Sequence, residues 1–265
     1  MIAIVVLTHN RVHLLRQCVE NVLGRTSSLT TEIVIWDNGS TDGTAAYLAT
    51  LAESRIRVVH HPENIGQNAY AAAFRLTSAP FMVELDDDMI DAPQGWDHTL
   101  LEAFEKLPKI GFLAASLVDN PHDQAARVMY HERADAYTTE VVDGVRLLRG
   151  PVGGGCAITS RELHDRVGGF RQQRGQVFWL EDEAYIADIE KLGYEAAFLE
   201  DIQLLHAGGA HYAPYSATKD EYWRAYWTKE ARKNSVKRLL LRVPFVRALN
   251  DRFGWFRISD VPAGL

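Results

Sequence analysis

The chain opens on an unbroken apolar run, residues 2–7, made of Ile, Ala, Val and Leu. Such a run, without alternation, predicts a strand buried on both faces of a sheet. Polar Thr8-His9-Asn10-Arg11 ends it. Leu15, Cys18, Val19, Val22 and Leu23 then share one face of a helix over residues 12–23. A second strand, 32–36, stops at Asp37-Asn38-Gly39-Ser40-Thr41-Asp42-Gly43-Thr44, a turn cluster with N-cap residues for a helix over 44–51. A third strand is predicted over 56–60. A helix opens at Asn64-Ile65-Gly66 and runs to about residue 76, and a fourth strand, 81–85, stops at Asp86-Asp87-Asp88. Strand and helix in alternation predict an α/β fold: a mostly parallel, Rossmann-like central sheet with helices on both faces. Ligands of such sheets bind beyond the carboxyl ends of the strands. The polar clusters at 8–11, 37–44, 64–66 and 86–88 each follow a strand, so they should gather along one rim.

The second half is less regular. A strand is predicted over 110–118, and a short hairpin or loop excursion over 125–149. Gly153-Gly154-Gly155 leads into a short strand, 156–159, and a helix from Ser160. A helix carrying Glu181-Asp182-Glu183 follows within 178–193. Short strands are predicted over 195–199 and 202–205, the latter ending at His206. A helix over about 219–241, then Pro244 and an aromatic, basic end, complete the chain. The expected organisation is one α/β domain, 1–218, and a helical tail, 219–265.

Composition narrows the function classes. With 265 residues, 47% hydrophobic and 24% charged, the chain is an ordinary globular protein. Disorder, collagen and coiled-coil arrays are excluded as its main architecture. A net charge of -7 argues against non-specific binding to nucleic acid. That charge is uneven: residues 1–218 carry 17 Lys/Arg against 30 Asp/Glu, whereas residues 219–257 carry 11 against 4. Two cysteines, Cys18 and Cys156, are too few for a disulfide framework or a thiolate zinc site, so a reducing compartment is expected. No apolar run approaches the ~18 residues that span a bilayer. The first seven residues lack a basic leader and read as a strand rather than a signal peptide.

Asp86-Asp87-Asp88 is the sharpest chemical feature. Three adjacent carboxylates repel one another unless they are solvated or neutralised. A divalent cation shared with a ligand diphosphate would neutralise them, and Mg²⁺ or Mn²⁺ favours carboxylate oxygen. The bland alternative is a solvated acidic turn. Asp37 is either part of a plain Asn-Gly turn or a carboxylate facing a base or ribose. One of Glu181, Asp182 and Glu183 could act as a general base; otherwise they complement a helix dipole. Trp179 and the upstream glycines suggest a pocket beside them. His206 is either a third ligand to a transition ion or an ordinary polar histidine. Gly153-Gly154-Gly155 lacks the spacing of a dinucleotide fingerprint or a P-loop; it permits close approach to a ligand or merely a tight turn into a strand.

The ordered set of these pieces resembles the family 2 glycosyltransferases, which have the nucleotide-diphosphosugar transferase fold called GT-A. The matching pieces are Thr8-His9-Asn10-Arg11, the 37–44 cluster, Asn64-Ile65-Gly66 and Leu85-Asp86-Asp87-Asp88, which stands in the place of the family's Asp-x-Asp motif. They continue with Gly153 to Glu162, Val167-Gly168-Gly169-Phe170, Glu181-Asp182, Leu192-Gly193-Tyr194 and His206-Ala207-Gly208-Gly209. The resemblance spans about residues 1–212. It implies a metal-dependent inverting transfer of a sugar from a nucleotide-diphosphosugar donor to an acceptor hydroxyl on a glycan or lipid-linked saccharide. It also implies roles. Thr8, Asn10, Arg11 and Asp37 would hold base and ribose, with Asn64 and Gly66 at the pocket's border. Asp86 and Asp87 would lie near the ribose and diphosphate. Asp88, with His206, would bind Mn²⁺ or Mg²⁺. Asp182 would be the base, and Gly153, Gly154, Gly155, Trp179 and Glu181 would line the acceptor side.

Two rival classes remain. A nucleotidyltransferase or phosphohydrolase could use the same carboxylates, but the Gly-rich phosphate loop expected near a nucleotidyltransferase's start is absent. A non-catalytic sugar-nucleotide binding module would be favoured if Asp88 or Asp182 were replaced, and both are present. In the tail, Tyr222/Tyr226 and Trp223/Trp227 are helical i, i+4 pairs, followed by Arg232, Lys233, Lys237, Arg238 and Arg242. This pattern fits peripheral contact with an anionic membrane, or a helix packing its aromatics on the domain. A cytoplasmic protein, with its tail a candidate for the inner face of the membrane, is expected.

Overall fold

The computed structural model describes residues 1–172, 181–209, 211–213, 217–254 and 256. The chain forms two compact units, 1–213 and 214–265. The first unit begins with β1 (Ile2–Thr8), α1 (Val12–Asn21), β2 (Thr30–Asn38), α2 (Thr44–Leu48), β3 (Ile56–His61), α3 (Asn68–Ala73) and β4 (Phe81–Asp86). It continues with β5 (Met89–Asp91), α4 (Trp96–Lys106), β6 (Ile110–Leu117), α5 (Gln124–Arg127), β7 (Thr138–Val142) and β8 (Val145–Arg149). Finally come β9 (Cys156–Ser160), α6 (Arg161–Val167), α7 (Glu181–Lys191) and β10 (Glu195–His206). The second unit holds α8 (Ala217–Leu240) and α9 (Pro244–Phe253).

The sheet order is β3-β2-β1-β4-β9-β6-β10-β8-β7, with β5 paired to β10. The first four strands are mutually parallel, and β6 runs parallel to β10. Apolar β1 and β6 are buried along nearly their whole length, as their unbroken patterns require. Parallel β1, β2, β3 and β4 bring the predicted clusters to one rim. Thr8 stands opposite Asp37, Leu7 opposite Asp86, and Asp37 opposite His60.

The structure departs from the sequence expectation in five places. β9 lies antiparallel between β4 and β6, pairing Leu85 with Cys156 and Leu113 with Ile158. Hydrophobic pattern sets which face of a strand is buried but not which way it runs. The two short strands expected near 195–205 are one, β10, whose register shifts between Leu199 and Gln203. This bulge turns Glu200 to Arg146, 2.8 Å away, and to the Thr139 hydroxyl. The helix expected from residue 64 starts at Asn68 and ends in a 3-10 turn, Phe74–Leu76, while α2 ends at Leu48. The 125–149 stretch contains α5 and a π-helical turn, Val128–Glu132, before the β7–β8 hairpin. Asp143 and Gly144 take that hairpin's turn at φ 48° and 78°.

An aromatic cluster closes the core between α3, α6 and α7. His164 stacks on Phe74 with ring centroids 5.2 Å apart and packs beside Phe170 and Tyr185. Burial, reinforced by Arg161, pulls its pKa down to about 4. The unfolded chain therefore takes up the proton first as pH falls. Stability should be complete above pH 6.5 and should decline between about 6.5 and 4, by at most about 3 kcal/mol from this residue. Urea unfolding across that range should show a flatter pH dependence for His164→Gln than for the wild type. Parallel curves would remove His164 from the account.

Candidate active site at the carboxyl rim

Asp86 closes β4, and Asp87 and Asp88 turn the chain into β5. The three carboxylates diverge. Asp87 is fully buried in an ion pair with Arg11, beside the Thr8 hydroxyl. Arg11 also donates to Asp88 Oδ2 at 2.6 Å. Asp86 Oδ1 accepts from the Tyr70 hydroxyl at 2.9 Å. Burial, then neighbouring Asp88, pushes Asp86 up to about 6; burial pushes Asp87 up to about 7 despite Arg11. The pocket is thus one that favours a group bringing positive charge.

His206, at the end of β10, faces the same place. Its Nε2 lies 3.3 Å from Asp88 Oδ1, and its Nδ1 lies 3.0 Å from Asp123 Oδ1. Burial alone would depress the imidazole, but Asp88 and Asp123 reverse this and bring its pKa up to about 10. Asp123 is itself fully buried and caps α5 by accepting from the N–H groups of Ala125 and Ala126. The Ala207 N–H donates to the Asp88 carbonyl at 2.8 Å, which fixes the two segments together. Asp86, Asp88 and His206 offer ligand atoms that all lie within 4.8 Å of one another, the group of this kind found among the described residues.

Asp182 stands in the first turn of α7. The Gly154 N–H donates to its Oδ2 at 2.7 Å. Buried Glu84, from the middle of β4, shares a hydrogen bond with it. Burial, then the charge on Asp182, holds Glu84 well above the carboxylate range, so Glu84 carries the proton of the pair. Burial also raises Asp182, against the Glu84 and Gly154 hydrogen bonds. Gly154 fits because it has no side chain: a Cβ there would overlap Glu84 Oε1 and lie 2.6 Å from Asp182 Oδ1. The next residue, Gly155, accepts at its carbonyl from the Asp86 N–H at 2.8 Å. Two consecutive residues thus tie Asp182 to the carboxylate–imidazole cluster.

On the other side of the rim, Asp37 is 3% exposed; it accepts from the Ser40 N–H at 3.0 Å and lies 3.0 Å from His60 Nδ1. Asn10, at φ 53°, accepts from the Thr41 N–H at 2.6 Å and so joins the first cluster to the second. Asn38 donates to Asn64 Oδ1 and to the Gly66 carbonyl, and accepts from the Ile65 N–H. The four clusters therefore form one hydrogen-bonded rim. Gly153 borders open space, Glu181 is 7% exposed, and Trp179 lies outside the described residues.

The model of the family described as glycosyl transferase family 2 matches residues 3–168, well over half of the chain. The chain belongs to glycosyl transferase family 2. No curated protein matches it in sequence. Among solved structures it is similar to the mannosyltransferase PcManGT from Pyrobaculum calidifontis, in complex with GDP-Man and Mn²⁺, at 24% identity and a TM-score of 0.54. That match covers 78% of this chain and 56% of the other, so the chain spans little more than half of that protein's length. TarS 1-349 of S. aureus, in complex with UDP-GlcNAc, matches at 14% identity and a TM-score of 0.60, over 94% of this chain and 74% of that one. Glucosyl-3-phosphoglycerate synthase from Mycobacterium tuberculosis, with Mn²⁺, UDP and glucosyl-3-phosphoglycerate, matches at 18% and 0.54, over 78% and 72%. At these identities the likeness is one of fold, the GT-A fold.

Three site residues of this family 2 chain escape sequence reading. Tyr70 reads as helix packing, and Asp123 falls in an irregular stretch 83 residues before His206. Glu84 alone leaves a signal: a carboxylate inside the apolar run Phe-Met-Val-Glu-Leu.

Proposed function

We propose that this family 2 chain is a metal-dependent, inverting glycosyltransferase that moves a sugar from a nucleotide-diphosphosugar to an acceptor hydroxyl on a glycan or lipid-linked saccharide. The observation that carries the proposal is the attachment of Asp182 to the Asp86–Asp88–His206 cluster through Gly154 and Gly155. It puts a proton acceptor beside a set of groups suited to a diphosphate. Two carboxylates and an imidazole match the preferences of Mn²⁺, and the carboxylates those of Mg²⁺. Asp86, Asp88 and His206 would hold the ion, which when bound supplies positive charge to the leaving diphosphate.

The chain's own residues do the rest. Arg11, held by Asp87 and Asp88, offsets part of the acidic triplet beside the base and ribose. Asn10, Asp37, Asn64 and Gly66 border the base and ribose, and Thr8 backs them from beneath. Gly153 and Glu181 border the acceptor. Asp182 takes the proton of the acceptor hydroxyl as that oxygen bonds to the anomeric carbon. The bond from that carbon to the diphosphate oxygen breaks on the opposite face, and its electron pair leaves with the nucleoside diphosphate. One in-line displacement inverts the anomeric centre. The raised pKa of Asp182 makes it a stronger base than a solvent-exposed aspartate, and Glu84, holding a proton already, does not compete for the incoming one.

A panel of UDP- and GDP-sugars, read by thermal shift with and without Mn²⁺, tests the reading. One donor should raise the melting temperature only when Mn²⁺ is present; at a hundred times its Kd the gain is about 2.7 kcal/mol. Equal stabilisation without the ion removes the metal from the proposal. No stabilisation by any member of the panel removes the donor class.

A further inference from the structure

The residues of the candidate site all belong to the first unit, and the second unit carries a surface of its own. Lys229, Arg232 and Lys233 are followed by Val236, Leu239, Leu240 and Val243 at spacings of three and four, so they share one side of α8. Val243 lies just past the end of α8, where the Arg242 and Val243 N–H groups still donate to Leu239 and Leu240. The face is cationic in its first half and aliphatic in its second. Phe245, at the start of α9, extends the aliphatic half. Val236, Leu239, Leu240, Val243 and Phe245 are 40–71% exposed.

The buried side of the helix is a different one. Glu230 and Asn234 are 8% and 3% exposed. They stand about 120° and 160° around the helix from Val236. A helix that used its leucines for packing would turn them toward that side; here they face away from it. Five large apolar side chains grouped on an open surface mark an interaction site.

We propose that this face docks on an anionic phospholipid bilayer. Residues 229–252 hold eight Lys/Arg against Glu230 and Asp251 alone, a charge complementary to phosphate headgroups. Val236, Leu239, Leu240, Val243 and Phe245 enter the acyl boundary while Lys229, Arg232 and Lys233 remain at headgroup level, so the helix lies along the surface. A nucleic acid would engage the cations and leave the aliphatic half in water. A second copy of the chain would set this positive charge against itself. No helix among the described residues is long and apolar enough to cross a membrane, so the contact is peripheral.

Vesicle co-sedimentation of the full chain tests this. Vesicles of phosphatidylglycerol and phosphatidylcholine in equal parts should pellet the protein; phosphatidylcholine alone should not. Leu239→Ser/Phe245→Ser and, separately, Lys229→Glu/Arg232→Glu should each weaken binding at least about tenfold. All four side chains are exposed, so the circular dichroism spectrum and Tm should not change. Failure to pellet with anionic vesicles, or pelleting that neither variant weakens, overturns the proposal. So does a dimer in light scattering without lipid that Leu239→Ser/Phe245→Ser converts to monomer, since a second copy would then be the occupant.

Discussion

Asp182→Asn should lower kcat by about 10²–10⁴-fold, the usual contribution of a positioned general base, and leave the affinity for nucleotide-sugar nearly unchanged. The substitution keeps the shape of the side chain and an oxygen to accept from the Gly154 N–H; it removes the proton acceptor and changes the partner of buried Glu84 from a carboxylate to an amide. Stopped-flow or initial-rate measurement of nucleoside diphosphate release, with donor affinity measured in parallel, separates the two effects. The pH profile supplies a second check. Because burial raises Asp182, the acidic limb of the wild-type rate should lie above the range of an exposed aspartate, and activity should fall as pH drops through it. Retention of full turnover by Asp182→Asn would move the base to Glu181 or Glu183, which flank it.

Asp88→Ala should cost more, because three interactions converge on that side chain. It accepts from Arg11, faces His206 Nε2 at 3.3 Å and belongs to the candidate ligand set. Loss of a metal's charge stabilisation removes several kcal/mol from the transition state, or at least about a thousandfold in turnover. Calorimetric titration with Mn²⁺ should lose its binding signal in this variant. Asp123→Asn, which leaves the three candidate ligands in place but replaces an oxygen that orients His206 or caps α5, should weaken Mn²⁺ binding by about 10–100-fold. Unchanged Mn²⁺ affinity in Asp88→Ala would place the ion elsewhere.

The elements that sequence reading captures are those governed by local pattern. Continuous apolar runs give β1, β4 and β6, and the polar breaks after β1, β2 and β4 give the rim, because parallel strands align their ends. Asp88 can be singled out because it belongs to the acidic triplet that follows β4, and His206 because it terminates β10. Asp123 cannot, because its importance comes from two partners, α5 behind it and His206 83 residues ahead, and neither leaves a mark on nearby sequence. The divergence of the acidic triplet is hidden for a similar reason. Adjacent carboxylates look equivalent in sequence, yet the turn into β5 points Asp87 inward to Arg11 and leaves Asp86 and Asp88 with His206. The direction of β9 depends on the route of the chain from the β7–β8 hairpin to the rim, a long-range property. The aromatic pairs of the tail lie in part outside the described residues: the side chains of Tyr222, Trp223 and Tyr226 are not among them.

The link through Gly154 and Gly155 has a consequence for how this site tolerates change in chain length. The span from Asp86 to Asp182 runs through 95 intervening residues, yet its working length is set by one dipeptide just ahead of β9. Insertions in the β7–β8 hairpin, or between α6 and α7, alter the path of the chain without altering that length. A single residue added between Gly154 and Gly155 would slide one anchor past the other by about 3.3 Å, the rise of one extended residue. Loops on this scaffold can therefore lengthen and diversify while the ruler that spaces Asp182 from the Asp86–Asp88–His206 cluster stays the same.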